Sequence, residues 1–244
     1  MLAPTDPSAE NEDLKSGGDL EFNDLRAFFD GHREGPGIWK WEHYFEVYDR
    51  HLAKFRGKKP NVLEIGIYSG GSLLMWRDYF GATSTIYGVD IEPACKAYER
   101  LGAKIFIGDQ SDRSFWSRFR QTVPKLDVVI DDGGHHPDQQ ITSLQELLPH
   151  MRPGGVYICE DVHGVEHRYS DFVHGLASYL NDSSNIAGNV NDPARRLATR
   201  TSAAQSMITG ISTYPYITVV ELRETLKQQF VAPKHGTTWE PFLE

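Results

Sequence analysis

The sequence predicts an α/β fold, a doubly wound and mostly parallel sheet preceded by a helical segment. Three observations carry that prediction. Short apolar runs alternate with helix-length amphipathic segments from Val62 to Cys159. The first run closes in a glycine-rich turn, and acidic residues recur at the ends of successive runs. Strands and helices alternating at this rhythm are βαβ units, whose crossover helices cover both faces of a parallel sheet.

The elements follow in chain order. Residues 1–20 are rich in Pro, Ser, Gly and acidic side chains with few large apolar groups, so a disordered tail is expected there. Residues 21–244 are expected to form a single domain. Within it, 21–58 is an aromatic, amphipathic stretch carrying Phe28, Phe29, Trp39, Trp41, Tyr44, Phe45 and Tyr48. Two helices broken at Gly35-Pro36-Gly37 are predicted, as a lid or an edge segment. His43 and Tyr44 are the candidate lid contacts.

Val62–Gly66 is the first predicted strand, followed by a helix from Ser69 to Phe80 with Ser69 as its cap. Ile86–Asp90, Lys104–Gly108, Leu126–Asp131 and Gly155–Cys159 are the next four strands. Helices at 94–101, 112–121 and from about 137 to 150 lie between them. After Asp161 the rhythm loosens. A helix is expected over 171–180, a polar surface loop over 181–192, another helix over 199–209, and strands over 217–222 and 229–232. Trp239 is expected to cover a sheet edge or an interface.

Bulk properties exclude several classes of function. A chain of 244 residues with 39% hydrophobic and 24% charged residues suits one globular domain, and no apolar run is long enough to cross a bilayer. The opening Met1-Leu-Ala-Pro lacks a basic region followed by an apolar core, so no secretory signal is expected. Cys95 and Cys159 are far apart and have no metal-ligand spacing, which fits a reducing, cytoplasmic setting. A net charge of −9 opposes polyanions, and Lys54–Lys59 and Arg195-Arg196 are too short to reverse it. Neither nucleic acid nor a membrane is therefore expected as a partner; a small molecule is.

Ligands of an open parallel sheet sit beyond the carboxyl ends of its strands. At the first strand, Gly66, Gly70 and Gly71 let backbone approach a ligand closely, and the next helix offers free N–H groups. Asp90 ends the second strand, where a carboxylate can accept from both ribose hydroxyls. Asp109 and Gln110 end the third, where an adenine amine could be read. Glu64 is an odd charge for a strand interior unless it meets a ligand or a buried N–H. A nicotinamide dehydrogenase expects G-x-G-x-x-G for its pyrophosphate. Here Ile67 and Tyr68 follow Gly66 and the second fingerprint glycine is missing, so a cofactor without a pyrophosphate, S-adenosylmethionine, fits better. The cofactor set is Glu64, Gly66, Tyr68, Gly70, Ser72, Asp90, Asp109, Gln110 and Asp131.

The fourth strand ends in Asp131-Asp132-Gly-Gly-His135-His136 and the fifth in Glu160-Asp161. Neighbouring strands would bring these acids into one crevice, where they repel one another unless a cation neutralises them. Oxygen ligands select a hard ion such as Mg²⁺. A histidine beside them is a candidate general base, and either His135 or His136 could serve. A zinc hydrolase would use the histidines as ligands, but no His-x-x-x-His pair supports it and the glycine turn would be left unexplained.

Lys40-Trp-Glu-His-Tyr44, Leu63-Glu-Ile-Gly66, Gly70-Gly-Ser72, Gly108-Asp-Gln110, Ile130-Asp-Asp-Gly-Gly-His135 and Tyr157-Ile-Cys-Glu-Asp161 stand in a recognisable order. A weaker match continues through Tyr214–Val219. The chain resembles the magnesium-dependent O-methyltransferases of antibiotic biosynthesis, of the mycinamicin and rhamnosyl macrolide-sugar type. The resemblance implies a Rossmann-like class I methyltransferase fold, S-adenosylmethionine and Mg²⁺ as cofactors, and a hydroxyl of a vicinal diol as acceptor. It implies Asp132, Glu160 and Asp161 as the metal ligands and His135 as the base, and it favours a homo-oligomer. The match begins at Trp39, so the family's additional N-terminal domain is not expected, and Gly134 stands where the family usually has Ser. Cephalosporin-hydroxylase-type relatives share the acidic motifs. A metal-independent methyltransferase would treat the acids as helix caps, and a scaffold protein would be expected to carry damaged motifs.

Overall fold

A computed structural model of the chain describes residues 24–164, 167–184, 186–187 and 197–236. Ten strands are present among them: β1 (Asn61–Ile65), β2 (Thr85–Asp90), β3 (Lys104–Ile107), β4 (Leu126–Asp131), β5 (Met151–Cys159), β6 (Ile186–Ala187), β7 (Leu197–Arg200), β8 (Ile208–Tyr214), β9 (Ile217–Leu222) and β10 (Gln229–Ala232). The α-helices are α1 (Asp24–Gly31), α2 (Tyr44–Leu52), α3 (Gly71–Phe80), α4 (Arg113–Thr122), α5 (Pro137–Leu147), α6 (Arg168–Tyr179) and α7 (Ala203–Met207).

The main sheet runs β3-β2-β1-β4-β5-β9-β8. Its first five strands are parallel, while β9 is antiparallel to β5 and β8 to β9. The chain winds outward from β1 to β3 and then returns to the other side of β1 with β4. That reversal between β1 and β4 is the switch point at which ligands bind. A small antiparallel sheet, β10-β7-β6, accompanies it.

Alternation along the strands sends successive side chains to opposite faces. Val62, Ile86, Val128, Ile130, Val156 and Ile158 pack on one face with Leu25, Tyr48, Leu73, Trp76 and Phe80 of the first three helices. Leu63, Val89, Val129, Tyr157 and Cys159 pack on the other with Trp116, Phe119, Leu144, Leu147 and Val173. Burial on both faces is why β1 and β4 are nearly uniform apolar runs. Among the described residues, no helix is long and apolar enough to cross a membrane.

The structure corrects the sequence-based elements in four places. Ser69 does not cap α3: Gly70, at φ 77°, holds that place, and the N–H of Gly71 reaches the Gly37 carbonyl instead. Segment 93–101 winds as a 3₁₀ helix capped by the Glu92 side chain. Helix α6 begins three residues before the expected Asp171. The helix expected over 199–209 is divided among β7, α7 and β8. Ser202 and Gln205 form a capping box that confines α7 to one turn, and pairing with β9 draws Ile208 onward into a strand. The 1–20 tail, half of the 181–192 loop, Arg195-Arg196 and Trp239 lie outside the described residues, and within the described half of that loop Ile186–Ala187 pair as β6.

Candidate functional site

A cavity of about 880 Å³ opens beyond the carboxyl ends of β1, β2, β4 and β5. Its lining includes Gly66, Tyr68, Ser72, Asp90, Asp109, Gln110, Asp132, His135, Glu160 and Asp161. Glu64, Gly70 and Asp131 stand behind that lining.

The β1 turn is shaped by close backbone approach. Gly66 has φ 83°, and a Cβ there would fall on the carbonyl oxygen of Asp132, so only glycine lets the ends of β1 and β4 touch. Asp90 Oδ2 accepts the N–H groups of Ile67 (2.8 Å) and Tyr68 (3.1 Å), and Oδ1 accepts Glu92 N–H (2.9 Å). This ties the β2 tip to the β1 turn. Asp109 Oδ1 accepts both the N–H and the hydroxyl of Ser111. The Gln110 side chain is committed within the protein, donating to Asp131 Oδ1 (2.6 Å) and accepting from Gly134 N–H (3.0 Å). Asp131 also accepts from Tyr157 (2.7 Å). Burial pushes its pKa up to about 7 against the pull of those two donors.

Glu64 resolves the oddity of a charge inside a strand. It is 0% exposed and accepts from Ser72 Oγ (2.7 Å) and Trp76 Nε1 (3.0 Å), with Lys40 Nζ 3.7 Å away. Its partners are therefore side chains of the protein, a hydroxyl and the buried indole N–H of Trp76, the latter being the kind of partner its position called for.

The acidic residues converge at the tips of β4 and β5. Among the described residues, Asp132, His135 and Asp161 form a group whose ligand atoms all lie within 4.8 Å of one another. His135 Nε2 is 3.5 Å from Asp161 Oδ2. Both residues sit in the left-handed region, at φ 54° and 53°, which aims their side chains into the cavity at a cost in backbone strain. His136 instead caps α5, its Nδ1 accepting Asp138 N–H at 3.4 Å. Glu160 is buried deeper. Lys40 donates to its two oxygens at 2.9 and 3.1 Å, and Tyr48 donates to Oε1 at 2.7 Å. Burial raises the Glu160 pKa, Lys40 opposes that rise, and Asp132 adds to it.

The segment before α2 closes this end. Lys40 also donates to Asp132 Oδ2 (2.6 Å), while Trp41 Nε1 (3.0 Å) and Tyr44 OH (2.9 Å) donate to Asp161 Oδ1. His43, the other expected lid contact, binds the Pro215 carbonyl instead. Lys40 and Tyr48 were not candidates from sequence. The signal that could have found Lys40 is a lysine inside the apolar run Ile38–Trp41, where a charge needs a partner.

Asp132 and Asp161 offer carboxylate oxygens of the kind a hard divalent ion takes, around a polar opening, and the His135 imidazole stands beside them. Glycine backbone and Asp90 face the same space at the β1 turn, which suits a ligand that approaches the backbone closely and carries a ribose.

Residues 63–162 match the sequence model of a family described as a methyltransferase domain. The chain is 39% identical over 132 residues to the demethylmacrocin O-methyltransferase of Streptomyces fradiae, covering 51% of this chain and 33% of that protein. It is 40% identical over 128 residues to the mycinamicin VI 2''-O-methyltransferase of Micromonospora griseorubida, covering 49% and 32%. The chain thus spans about a third of the length of these curated relatives. Among solved structures, it superposes on the MycE methyltransferase from the mycinamycin biosynthetic pathway in complex with Mg and SAH. That match has a TM-score of 0.64 and 26% identity over 82% of this chain and 54% of that one. The sheet order and the crossover helices are those of the class I methyltransferase fold.

Proposed function

We propose that this chain, whose residues 63–162 match the family described as a methyltransferase domain, moves a methyl group from S-adenosylmethionine to one hydroxyl of a vicinal diol. The acceptor is a sugar of a small natural product, and the reaction requires Mg²⁺. One observation carries the reading: a single cavity joins the glycine turn and Asp90 to a cluster of Asp132, His135 and Asp161. Two relatives that act on macrolides, and a structural neighbour holding Mg and SAH, support the same chemistry.

When bound, the sulfonium supplies the methyl group and leaves as a neutral thioether, and the cation supplies positive charge beside the acceptor oxygen. Gly66, Tyr68, Gly70 and Ser72 shape the turn around the donor, with Glu64 and Asp131 bracing it from behind. Asp90 holds the ribose and Asp109 the adenine, while Gln110, engaged with Asp131 and Gly134, shapes the wall beside them. Asp132 and Asp161 would hold the cation through the oxygens they turn to the cavity, and Glu160, the third acid of the expected set, would have to give up a bond from Lys40 or Tyr48 to join them. His135 takes the acceptor's hydroxyl proton at Nε2, and the neighbouring Asp161 carboxylate steadies the charge the ring acquires. Cytoplasmic location and assembly as a homo-oligomer complete the proposal.

The test combines calorimetry with S-adenosylmethionine and a methyl-transfer assay on rhamnosyl and catechol acceptors, with and without EDTA. Turnover on a vicinal diol that vanishes with EDTA and returns with Mg²⁺ is the expected result. Full turnover in EDTA, retained by the Asp132→Ala variant, would sink the cation's part.

A further inference from the structure

Lys40 puts a positive charge where the crevice would otherwise hold only negative ones. Its side chain is 2% exposed, and its ammonium lies 2.6 Å from Asp132, 2.9 Å from Glu160 and 3.7 Å from Glu64. Its three carboxylate neighbours belong to three different strand ends, so the ammonium ties them to one point, and Asp161 lies within ligand distance of Asp132 on the cavity side. Removing one partner from a buried ionic group leaves an uncompensated charge and is strongly destabilising.

The hydrogen bonds also divide the crevice. Lys40 engages Asp132 through Oδ2, and Trp41 and Tyr44 engage Asp161 through Oδ1. Each aspartate keeps a second oxygen, and it is on the cavity side that Asp132, His135 and Asp161 offer their ligand atoms to one another.

We propose that Lys40 is a built-in counter-ion, which keeps the acidic crevice assembled when no divalent ion is bound and keeps the ion's hold loose enough to exchange. It is a positioning residue, acting through Asp132 and Glu160, and the inference rests on the cation reading above. A fixed ammonium sharing carboxylates with a divalent ion repels it at short range, in surroundings that screen less than water. The cation would then be a reversible participant in turnover, since the fold holds its own replacement charge.

The experiment uses the full chain and two variants, Lys40→Met and Lys40→Met/Glu64→Gln. The second removes one negative charge along with the lysine and leaves Asp132, Glu160 and Asp161 intact. Melting temperatures are measured in EDTA and in Mg²⁺, and Mn²⁺ affinity is measured by water-proton relaxation. Lys40→Met is expected to melt about 10 °C lower in EDTA and to regain most of that in Mg²⁺. It should bind Mn²⁺ at least roughly tenfold more tightly than the wild type. The double variant should recover the metal-free melting temperature and still bind Mn²⁺ more tightly. If Lys40→Met does not fold, the double variant decides by its Mn²⁺ affinity alone. Unchanged melting of Lys40→Met in EDTA, or Mn²⁺ affinity no tighter in either variant, overturns the inference. Mn²⁺ binding that appears only in the variants overturns the exchangeable hold while leaving the cluster's fit to a cation standing. No Mn²⁺ binding in the wild type or in either variant overturns the cation reading and the inference with it.

Discussion

The two ends of the cavity are built by different means. At the tips of β2 and β3, Asp90 and Asp109 are held by N–H and hydroxyl groups that lie between 2 and 23 residues away in sequence. At the tips of β4 and β5, Asp132, Glu160 and Asp161 are held by Lys40, Trp41, Tyr44 and Tyr48, from 92 to 120 residues away in sequence. The first end is locally encoded. The second exists only once the N-terminal segment has docked, so it should be the more fragile of the two, and the more adjustable.

Four measurements would break or sharpen that contrast. The largest effect is expected from His135→Ala, which should lower kcat by roughly 10²–10⁴-fold while S-adenosylmethionine affinity stays near wild type. A matching loss of cofactor affinity would mean that the two ends are not separable. Gly66→Ala should damage both ends together, because its Cβ would meet the Asp132 carbonyl at the point where the two ends touch. A stability loss of about 3 kcal/mol or more in chemical denaturation is expected, along with weaker cofactor binding.

Smaller effects separate remote from local bracing. Tyr48→Phe removes a buried hydrogen bond to Glu160 and should cost roughly 1.5–3 kcal/mol. Ser111→Ala removes an exposed local bond to Asp109 and should stay within about 0.5 kcal/mol. Equal costs would contradict the proposed difference between the ends. The subtlest effect is a slope. Because burial pushes the Asp131 pKa up to about 7, the folded chain keeps a proton there that the unfolded chain has already released. Stability from this group is therefore full at low pH and lost as pH rises toward 7. Asp131→Asn should flatten that decline in metal-free denaturation between pH 4 and pH 7.

The sheet was legible from sequence because β1, β2, β4 and β5 are buried on both faces, and their apolar runs are bounded by turns and polar residues. The segment that became β7, α7 and β8 was not. Its local pattern tolerates a helix, and the ladder with β9 overrode it. The site divides in the same way. Asp90 and Asp109 could be placed by counting strands, and the acids after β4 and β5 by their adjacency. The bracing of Glu160 by Lys40 and Tyr48 is a contact between distant segments that no local spacing records. Glu64 lay between these cases: its position announced a buried partner, while the partners themselves, Ser72 and Trp76, came from the next helix.

Tyr68, His135 and Asp161 are three of the five non-glycine residues found with left-handed backbone among the described residues, and all three line the cavity. Glycine would relax each of them, and such relaxation raises stability where the replaced side chain contributes little to it. A laboratory selection for heat tolerance alone would therefore be drawn to these three positions. It would erase the proposed chemistry while improving shelf life, unless every round of screening also demanded turnover.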